Sequence, residues 1–136
     1  MHTPVLLNDV LALMQPRADG VYVDCTFGRG GHAQALLQRL GEHGRLYAFD
    51  RDQAAADARA DLLADSRLSF THAPFSAART ALEEAQAYGR IDGILMDLGV
   101  SSPQLDTGER GFSFQHDGPL DMRMDQSCGE TAADWL

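Results

Sequence analysis

The stretch that decides the fold is VYVDCTFGRGGHA, residues 21–33. It begins with three strand-forming residues, continues into a glycine-rich segment, and leads into apolar positions at helical spacing, Ala33, Leu36, Leu37 and Leu40. Glycines allow a tight turn and a close approach of the backbone to a ligand, and the start of the helix presents unpaired N–H groups there. The stretch therefore predicts a strand, a ligand-binding loop and a helix in succession.

The alternation of strand and helix continues along the chain. The predicted strands are Val21–Val23, Leu46–Phe49, Leu68–Phe70 and Ile91–Leu98. A short helix through Met14 precedes them. Of the helices that separate them, the second is expected through Ala55, Ala58 and Leu62, and Ser76 is expected to cap the third. Strands that alternate with helices indicate βαβ units and a parallel sheet. We expect an α/β fold with an incomplete parallel sheet of about four strands, flanking helices, and a long loop after strand four.

An acidic residue ends the second predicted strand. Asp50 lies twenty residues after Gly30, where a carboxylate accepts hydrogen bonds from ribose hydroxyls in nucleotide-binding α/β folds. The spacing Gly28-x-Gly30-x-x-Ala33 also satisfies the dinucleotide-binding fingerprint in its Gly/Ala form. These features predict a nucleotide-like ligand. They leave open an NAD(P)-dependent oxidoreductase of the Rossmann type and a non-catalytic nucleotide-binding fragment.

Asp24, between the first strand and the glycines, discriminates among ligands. A carboxylate at this place would repel a pyrophosphate, but it suits the cationic methionyl part of S-adenosylmethionine. The array Asp24-x-Thr26-x-Gly28-x-Gly30 resembles motif I of the S-adenosylmethionine-dependent methyltransferases, with Thr26 in place of the usual first glycine. The resemblance implies the Rossmann-like fold of those enzymes.

A third acidic residue, Asp97, ends the fourth predicted strand. In open α/β sheets, ligands bind outside the carboxyl ends of the strands, where the strand order reverses. Strands one and four would flank that point, so Asp24, Gly30, Asp50 and Asp97 are expected to converge on one crevice. The alternative role for Asp97 is a solvated acid at a strand end.

Composition limits the class of protein. The chain has 136 residues, 44% of them apolar, and a net charge of −9, which argues against a free-standing nucleic-acid binder. It contains no apolar run long enough for a membrane span. Two distant cysteines indicate a reducing, cytoplasmic setting. The histidines outside the glycine-rich stretch have no metal-ligand spacing, so we expect no metal.

Several segments together are similar to the RsmH (formerly MraW) family, and the similarity covers essentially the whole chain. The segments are His2–Leu7, Thr26–His32, Asp50–Asp52, Asp97–Gln104, Glu109–Phe114 and Asp121–Asp125. Members of that family are bacterial methyltransferases that modify the exocyclic N4 of a cytidine in the decoding region of small-subunit ribosomal RNA. The resemblance implies this activity, S-adenosyl-L-methionine as cofactor, and small-subunit ribosomal RNA, within the small ribosomal subunit, as partner.

The resemblance also implies a set of cofactor contacts. They are Gly30, Gly31, His32, Asp50, Phe75, Asp97 and Gln104. Phe75 would stack on adenine. The alternative role for this residue is packing in the hydrophobic core. His32 would otherwise be a cap or packing residue. The proton acceptor stays open between Asp97 and the carbonyls that follow it, so no catalytic residue is assigned.

The long loop and the end of the chain carry further expectations. Phe112 and Phe114 could stack on a flipped base of the RNA. The preferred interpretation is a short strand with both rings packed in the core. Thr131 and Asp134 predict the start of a helix. We expect residues 1–129 to be the N-terminal cofactor-binding part of the methyltransferase domain, and residues 130–136 to begin an inserted helical domain. As a fragment, this piece would be poorly soluble or partly disordered, would bind the cofactor weakly and would be inactive by itself.

Overall fold

The fold is described for residues 4–136 from a computed structural model. His2 and Thr3, which belong to the first matching segment, lie outside the described residues. The strands are β1 Val21–Asp24, β2 Arg45–Asp50, β3 Leu68–His72 and β4 Gly93–Leu95. The α-helices are α1 Leu7–Met14, α2 Gly31–Arg39, α3 Gln53–Asp57, α4 Ala60–Leu63, α5 Ala78–Glu84, α6 Ser102–Asp106 and α7 Ala132–Trp135.

The four strands form one parallel sheet in the order β3-β2-β1-β4. This confirms the predicted α/β architecture, including the positions of strands one and four beside the reversal of strand order. Asp24 ends β1 and Asp50 ends β2, and all the strands run in the same direction. Their carboxyl ends therefore share one edge of the sheet, which is where ligands bind in such folds.

Apolar residues of the sheet pack on both of its faces. On one face, Tyr22 and Leu46 pack with Leu36 of α2 in the larger core cluster. On the other face, Val23 and Phe49 pack with Leu82 of α5. Neighbouring residues of a strand point to opposite faces, so a strand covered on both sides needs a continuous apolar run. This is why the short apolar segments in the sequence predicted the places of the four strands correctly.

The fourth strand is much shorter than the predicted Ile91–Leu98. It pairs with β1 from Gly93 to Leu95, and the pairing ends there because β1 itself ends at Asp24. Ile94, Met96 and Leu98 are each more than half exposed. The apolar run in the sequence thus predicted the presence of β4. Among the described residues β4 pairs only with β1, and the end of β1 sets the end of β4.

Two details of the predicted helices are wrong. The helix expected through Ala55, Ala58 and Leu62 is divided into α3 and α4, because Arg59 between them has a non-helical backbone, with φ −133° and ψ 41°. Ser76 does not cap α5. It lies inside a 3-10 turn, Phe75–Ala77, and Ala77 is the residue at the helix start.

The described chain divides into two units, the first ending at Asp97 and the second comprising Leu98–Leu136. In the second unit, the Arg123 guanidinium holds Asp121 through two hydrogen bonds of 2.9 and 2.8 Å, and this pairing keeps the pKa of Asp121 below its usual range. Thr131 and Asp134 form the predicted capping box at the start of α7. The expected strand at Phe112 and Phe114 is absent from this described unit, and the Phe114 ring is fully exposed.

Candidate cofactor site

Three carboxylates lie at the carboxyl edge of the sheet. Asp24 and Asp50 end their strands, and Asp97 follows β4 by two residues. Burial is the main cause that raises the pKa of Asp24, and the charges of Asp50 and Asp97 raise it further, as expected for carboxylates that lie near one another. The predicted convergence of Asp24, Asp50 and Asp97 within the first unit is therefore present in the structure.

Asp24 is a buried carboxylate with one unpartnered oxygen. Its exposed fraction is 0%. Oδ1 accepts a hydrogen bond of 3.0 Å from the backbone N–H of Thr26, whereas Oδ2 has no hydrogen-bond partner. Burial raises the pKa of Asp24 to about 6, against the opposing effects of the Thr26 hydrogen bond and the nearby His32. A buried carboxylate oxygen without a donor is costly unless a cation or donor reaches it.

Asp50 connects the end of β2 to the glycine-rich loop. Its Oδ2 accepts a hydrogen bond of 2.7 Å from the Gly28 N–H, and its Oδ1 accepts one of 2.9 Å from the Asp52 N–H. A carboxylate offers about four lone-pair sites. Both oxygens therefore retain acceptor capacity for the hydroxyls of a ribose while the same side chain fixes the loop.

The backbone conformation of Gly30 and the space around it both favour glycine. Its φ is +72°, a left-handed conformation that favours glycine. A Cβ at this position would also lie 2.8 Å from Cδ1 of Leu62. The next residue, Gly31, begins α2, and a Cβ there would collide with Pro4. The first N–H groups of a helix have no partner within the helix, so α2 presents donors to a ligand in the crevice.

His32 is buried, and its ring is engaged by the N-terminal segment. Nε2 lies 2.9 Å from the carbonyl oxygen of Val5. The side chain therefore has the packing role that was the alternative interpretation of this residue.

Thr26 and Asp97 are joined across the end of the sheet. The Asp97 N–H donates a hydrogen bond of 2.7 Å to Oγ1 of Thr26. The Asp97 side chain is exposed at the end of the first unit. Thr26, the departure from the glycine pattern of motif I, thus has a structural function at the carboxyl end of β1.

Phe75 lies just beyond the carboxyl end of β3. The Ala73 N–H donates a hydrogen bond of 2.9 Å to the carbonyl of Asp50, so this part of the chain stays beside β2. The Phe75 ring is 42% exposed, which is more than a plug in the core would be. It offers an apolar face on the same edge of the sheet as the acids.

Gln104 belongs to the second unit. It is buried in α6, and its Oε1 accepts a hydrogen bond of 3.0 Å from the Ser101 N–H. Two arginines of the same unit bind protein groups. Arg123 pairs with Asp121, and Arg110 donates to the carbonyl of Met124 at 2.8 Å.

Arg59 is a residue of the site region that the sequence did not reveal. Its guanidinium donates hydrogen bonds to the carbonyl of Arg29 at 2.8 Å and to Oε1 of Gln34 at 3.1 Å. It therefore supports the glycine-rich loop and the first turn of α2 from outside. No pattern in the sequence marks Arg59, because its non-helical place between two short helices becomes visible only in the folded chain.

The described residues hold no group of three or more His, Cys, Asp or Glu side chains arranged for a metal ion. Within residues 4–136, no helix is long and apolar enough to cross a membrane. A cationic, nucleoside-containing cofactor fits the groups that are present. The unpartnered Asp24 oxygen suits a positive charge, Asp50 suits a ribose, the start of α2 offers donors, and Phe75 offers an apolar face.

Comparison with known proteins gives whole-chain matches. The model of the MraW methylase family matches residues 1–136. The ribosomal RNA small subunit methyltransferase H of Nitrosomonas europaea is 60% identical over 136 residues, which is 100% of this chain and 42% of that protein. The protein of the same name from Shewanella woodyi is 56% identical over 135 residues, 99% of this chain and 43% of that protein. The chain thus spans less than half of the length of these curated relatives.

Proposed function

Because the chain belongs to the MraW methylase family, we propose that it is the cofactor-binding part of a ribosomal RNA methyltransferase. The reaction is the transfer of a methyl group from S-adenosyl-L-methionine to the exocyclic N4 of a cytidine in the decoding region of small-subunit ribosomal RNA. The small ribosomal subunit in the cytoplasm is the partner. Residues 1–129 form the cofactor-binding part, and residues 130–136 begin an inserted helical domain.

The observation that carries the proposal is the buried, unpartnered Oδ2 of Asp24 beside the glycine-rich loop. A dinucleotide would bring a pyrophosphate to this loop, where the fixed carboxylate repels it. The methionyl part of S-adenosylmethionine brings positive charge instead. The same oxygen therefore favours a methyltransferase over the NAD(P)-dependent oxidoreductase that the glycine spacing alone left open.

Each of the other proposed contacts has a distinct task. Asp50 accepts hydrogen bonds from the ribose while it holds Gly28. The backbone N–H groups of Gly31 and His32 face the cofactor from the start of α2. The N–H of Gly30 donates to the carbonyl of Phe27 at 2.8 Å, so Gly30 contributes a close approach of the backbone rather than a donor. Phe75 packs on the adenine face.

The chain's contribution to the chemistry is mainly positioning. When bound, S-adenosylmethionine supplies an electrophilic methyl group on a positively charged sulfur. The cytosine amine is a weak nucleophile because its lone pair is delocalised into the ring, and alignment with the methyl group supplies much of the rate enhancement. Asp97, exposed at the carboxyl edge, or a carbonyl that follows it, accepts a hydrogen bond from the amine and takes its proton.

Calorimetric titration of the full-length gene product with S-adenosylmethionine and with NAD tests the proposal. We expect saturable binding of S-adenosylmethionine and no measurable binding of NAD. Transfer of a radioactive methyl group to small ribosomal subunits from a strain that lacks the gene tests the substrate. Binding of NAD alone would favour the oxidoreductase, and cofactor binding without transfer to any RNA would favour a non-catalytic module.

A further inference from the structure

The end of the β1–β4 pairing has an unusual continuation. The last backbone hydrogen bond between these segments runs from the Cys25 N–H to the carbonyl of Leu95, at 2.9 Å. Beyond it, the hydroxyl of Thr26 accepts the Asp97 N–H at 2.7 Å. A side-chain oxygen thus takes the place of the next backbone carbonyl, and the chain after β4 remains attached to β1 for two more residues.

Thr26 is fixed on its other sides as well. Its own N–H donates to Oδ1 of Asp24, and the N–H of the following residue, Phe27, donates to the carbonyl of Phe49 in β2 at 3.0 Å. The hydroxyl is therefore held between the ends of β1 and β2, and it offers Asp97 a rigid acceptor. Glycine at this position would keep the backbone contacts but leave the Asp97 N–H without this acceptor.

We propose that Thr26 is a positioning residue that sets the place of Asp97 relative to Asp24 and thereby the width of the cofactor crevice. The inference rests on the proposed function, because it takes Asp97 to contact the cofactor or the amine. Thr26 itself need not touch the ligand. The hydrogen bond from Asp97 explains why a hydroxyl residue replaces the usual glycine in a loop that otherwise follows motif I.

Three variants of the full-length gene product test this role. Thr26→Val keeps the shape but removes the acceptor, Thr26→Ser keeps the hydroxyl, and Thr80→Val, on the exposed side of α5, is the matched control. A hydrogen bond of ordinary strength corresponds to roughly a fivefold change in an equilibrium constant. We expect Thr26→Val to raise the dissociation constant of S-adenosylmethionine about fivefold, and the other two variants to stay within about twofold of the wild type.

The Asp97→Ala background separates positioning from simple stabilisation. If Thr26 acts through Asp97, Thr26→Val has little further effect on affinity once the carboxylate is gone, which a double-mutant cycle measures. Lowered melting temperature with unchanged affinity in Thr26→Val, or an equal loss of affinity in both backgrounds, would overturn the inference. Failure of the wild type to bind S-adenosylmethionine would instead refute the proposed function.

Amide hydrogen exchange at Asp97 gives a readout that needs no cofactor. We expect the Asp97 N–H to be protected in the wild type and in Thr26→Ser, and unprotected in Thr26→Val. If Thr26→Val folds poorly, exchange in the wild type and in Thr26→Ser still tests the contact between the Asp97 N–H and the hydroxyl at position 26. Rapid exchange of the Asp97 N–H in the folded wild type would contradict the contact itself.

Discussion

The backbone N–H of Gly28 donates a hydrogen bond of 2.7 Å to Oδ2 of Asp50. One carboxylate thus connects the glycine-rich loop after β1 to the end of β2, the strand that lies beside it. In the proposed function, the same carboxylate binds the ribose of the cofactor. The organisation of the loop and the recognition of the ligand therefore depend on one side chain.

Asp50→Ala removes both contacts of this carboxylate. Hydrogen bonds to charged groups contribute about 1.5 to 3 kcal/mol, so we expect the dissociation constant of S-adenosylmethionine to rise by roughly 10- to 100-fold. Titration calorimetry measures the effect. Asp57→Ala, an exposed carboxylate on α3, is the control and should bind as the wild type does. Equal affinity of Asp50→Ala and wild type would exclude Asp50 from the site.

Asp24 predicts a dependence of stability on pH. Its pKa is about 6 in the folded chain because of burial, against an ordinary value of 3.8. The folded state therefore holds this proton more tightly, and stability falls as the pH rises from about 4 to about 6, then stays level. Asp24→Asn, which removes the buried charge, should raise the free energy of unfolding by up to about 3 kcal/mol at pH 7.5. That gain should vanish near pH 4. Urea denaturation at both pH values measures it, and an equal gain at the two would be inconsistent with the buried charge as its source.

The same carboxylate predicts a proton linkage in cofactor binding. A cationic ligand favours the ionised form of Asp24, so its binding should release a proton near pH 6. We expect the affinity for S-adenosylmethionine to rise between pH 5 and about 7. Calorimetry in two buffers of different ionisation enthalpy detects the proton released. Asp24→Asn should abolish this proton release and weaken binding. An affinity that does not change between pH 5 and about 7 would show that Asp24 does not contact the cofactor.

Gly30→Ala tests the combined requirement for conformation and space. The left-handed backbone costs a non-glycine residue about 1 to 2 kcal/mol, and the close approach of Leu62 adds the cost of overpacking. Gly89→Ala is a matched control, since its φ is +81° but nothing lies within 4 Å of the added carbon. Thermal unfolding should show a larger loss of stability for Gly30→Ala than for Gly89→Ala. Equal losses would mean that the space at Gly30 is not limiting.

Phe75→Leu separates stacking from core packing. Because the ring is 42% exposed, its replacement should change the melting temperature little. Loss of an aromatic face on adenine corresponds to about 0.5 to 1.5 kcal/mol, which is a several-fold rise in the dissociation constant of S-adenosylmethionine. Tyr88→Leu, another half-exposed aromatic residue, should leave that constant unchanged. A large loss of stability without loss of affinity would assign Phe75 to the core instead.

The sequence predicted those parts of the structure that depend on local pattern and topology. Apolar runs located the strands, and the parallel order brought Asp24, Asp50 and Asp97 to one edge. Contacts between distant residues were not predictable in this way. The bond from Asp97 to Thr26 joins positions 71 residues apart, and the contact between His32 and Val5 spans 27 residues. The end of β4 was also missed, because the length of its partner strand sets it.

The most direct test is the methylation state of small-subunit ribosomal RNA in a strain from which the gene has been deleted. Mass spectrometry of the digested RNA should show the loss of one N4-methylated cytidine from the decoding region. Expression of the wild-type gene should restore it fully, whereas the Asp50→Ala variant should restore less of it. Full N4 methylation of that cytidine in the deletion strain would contradict the proposed function.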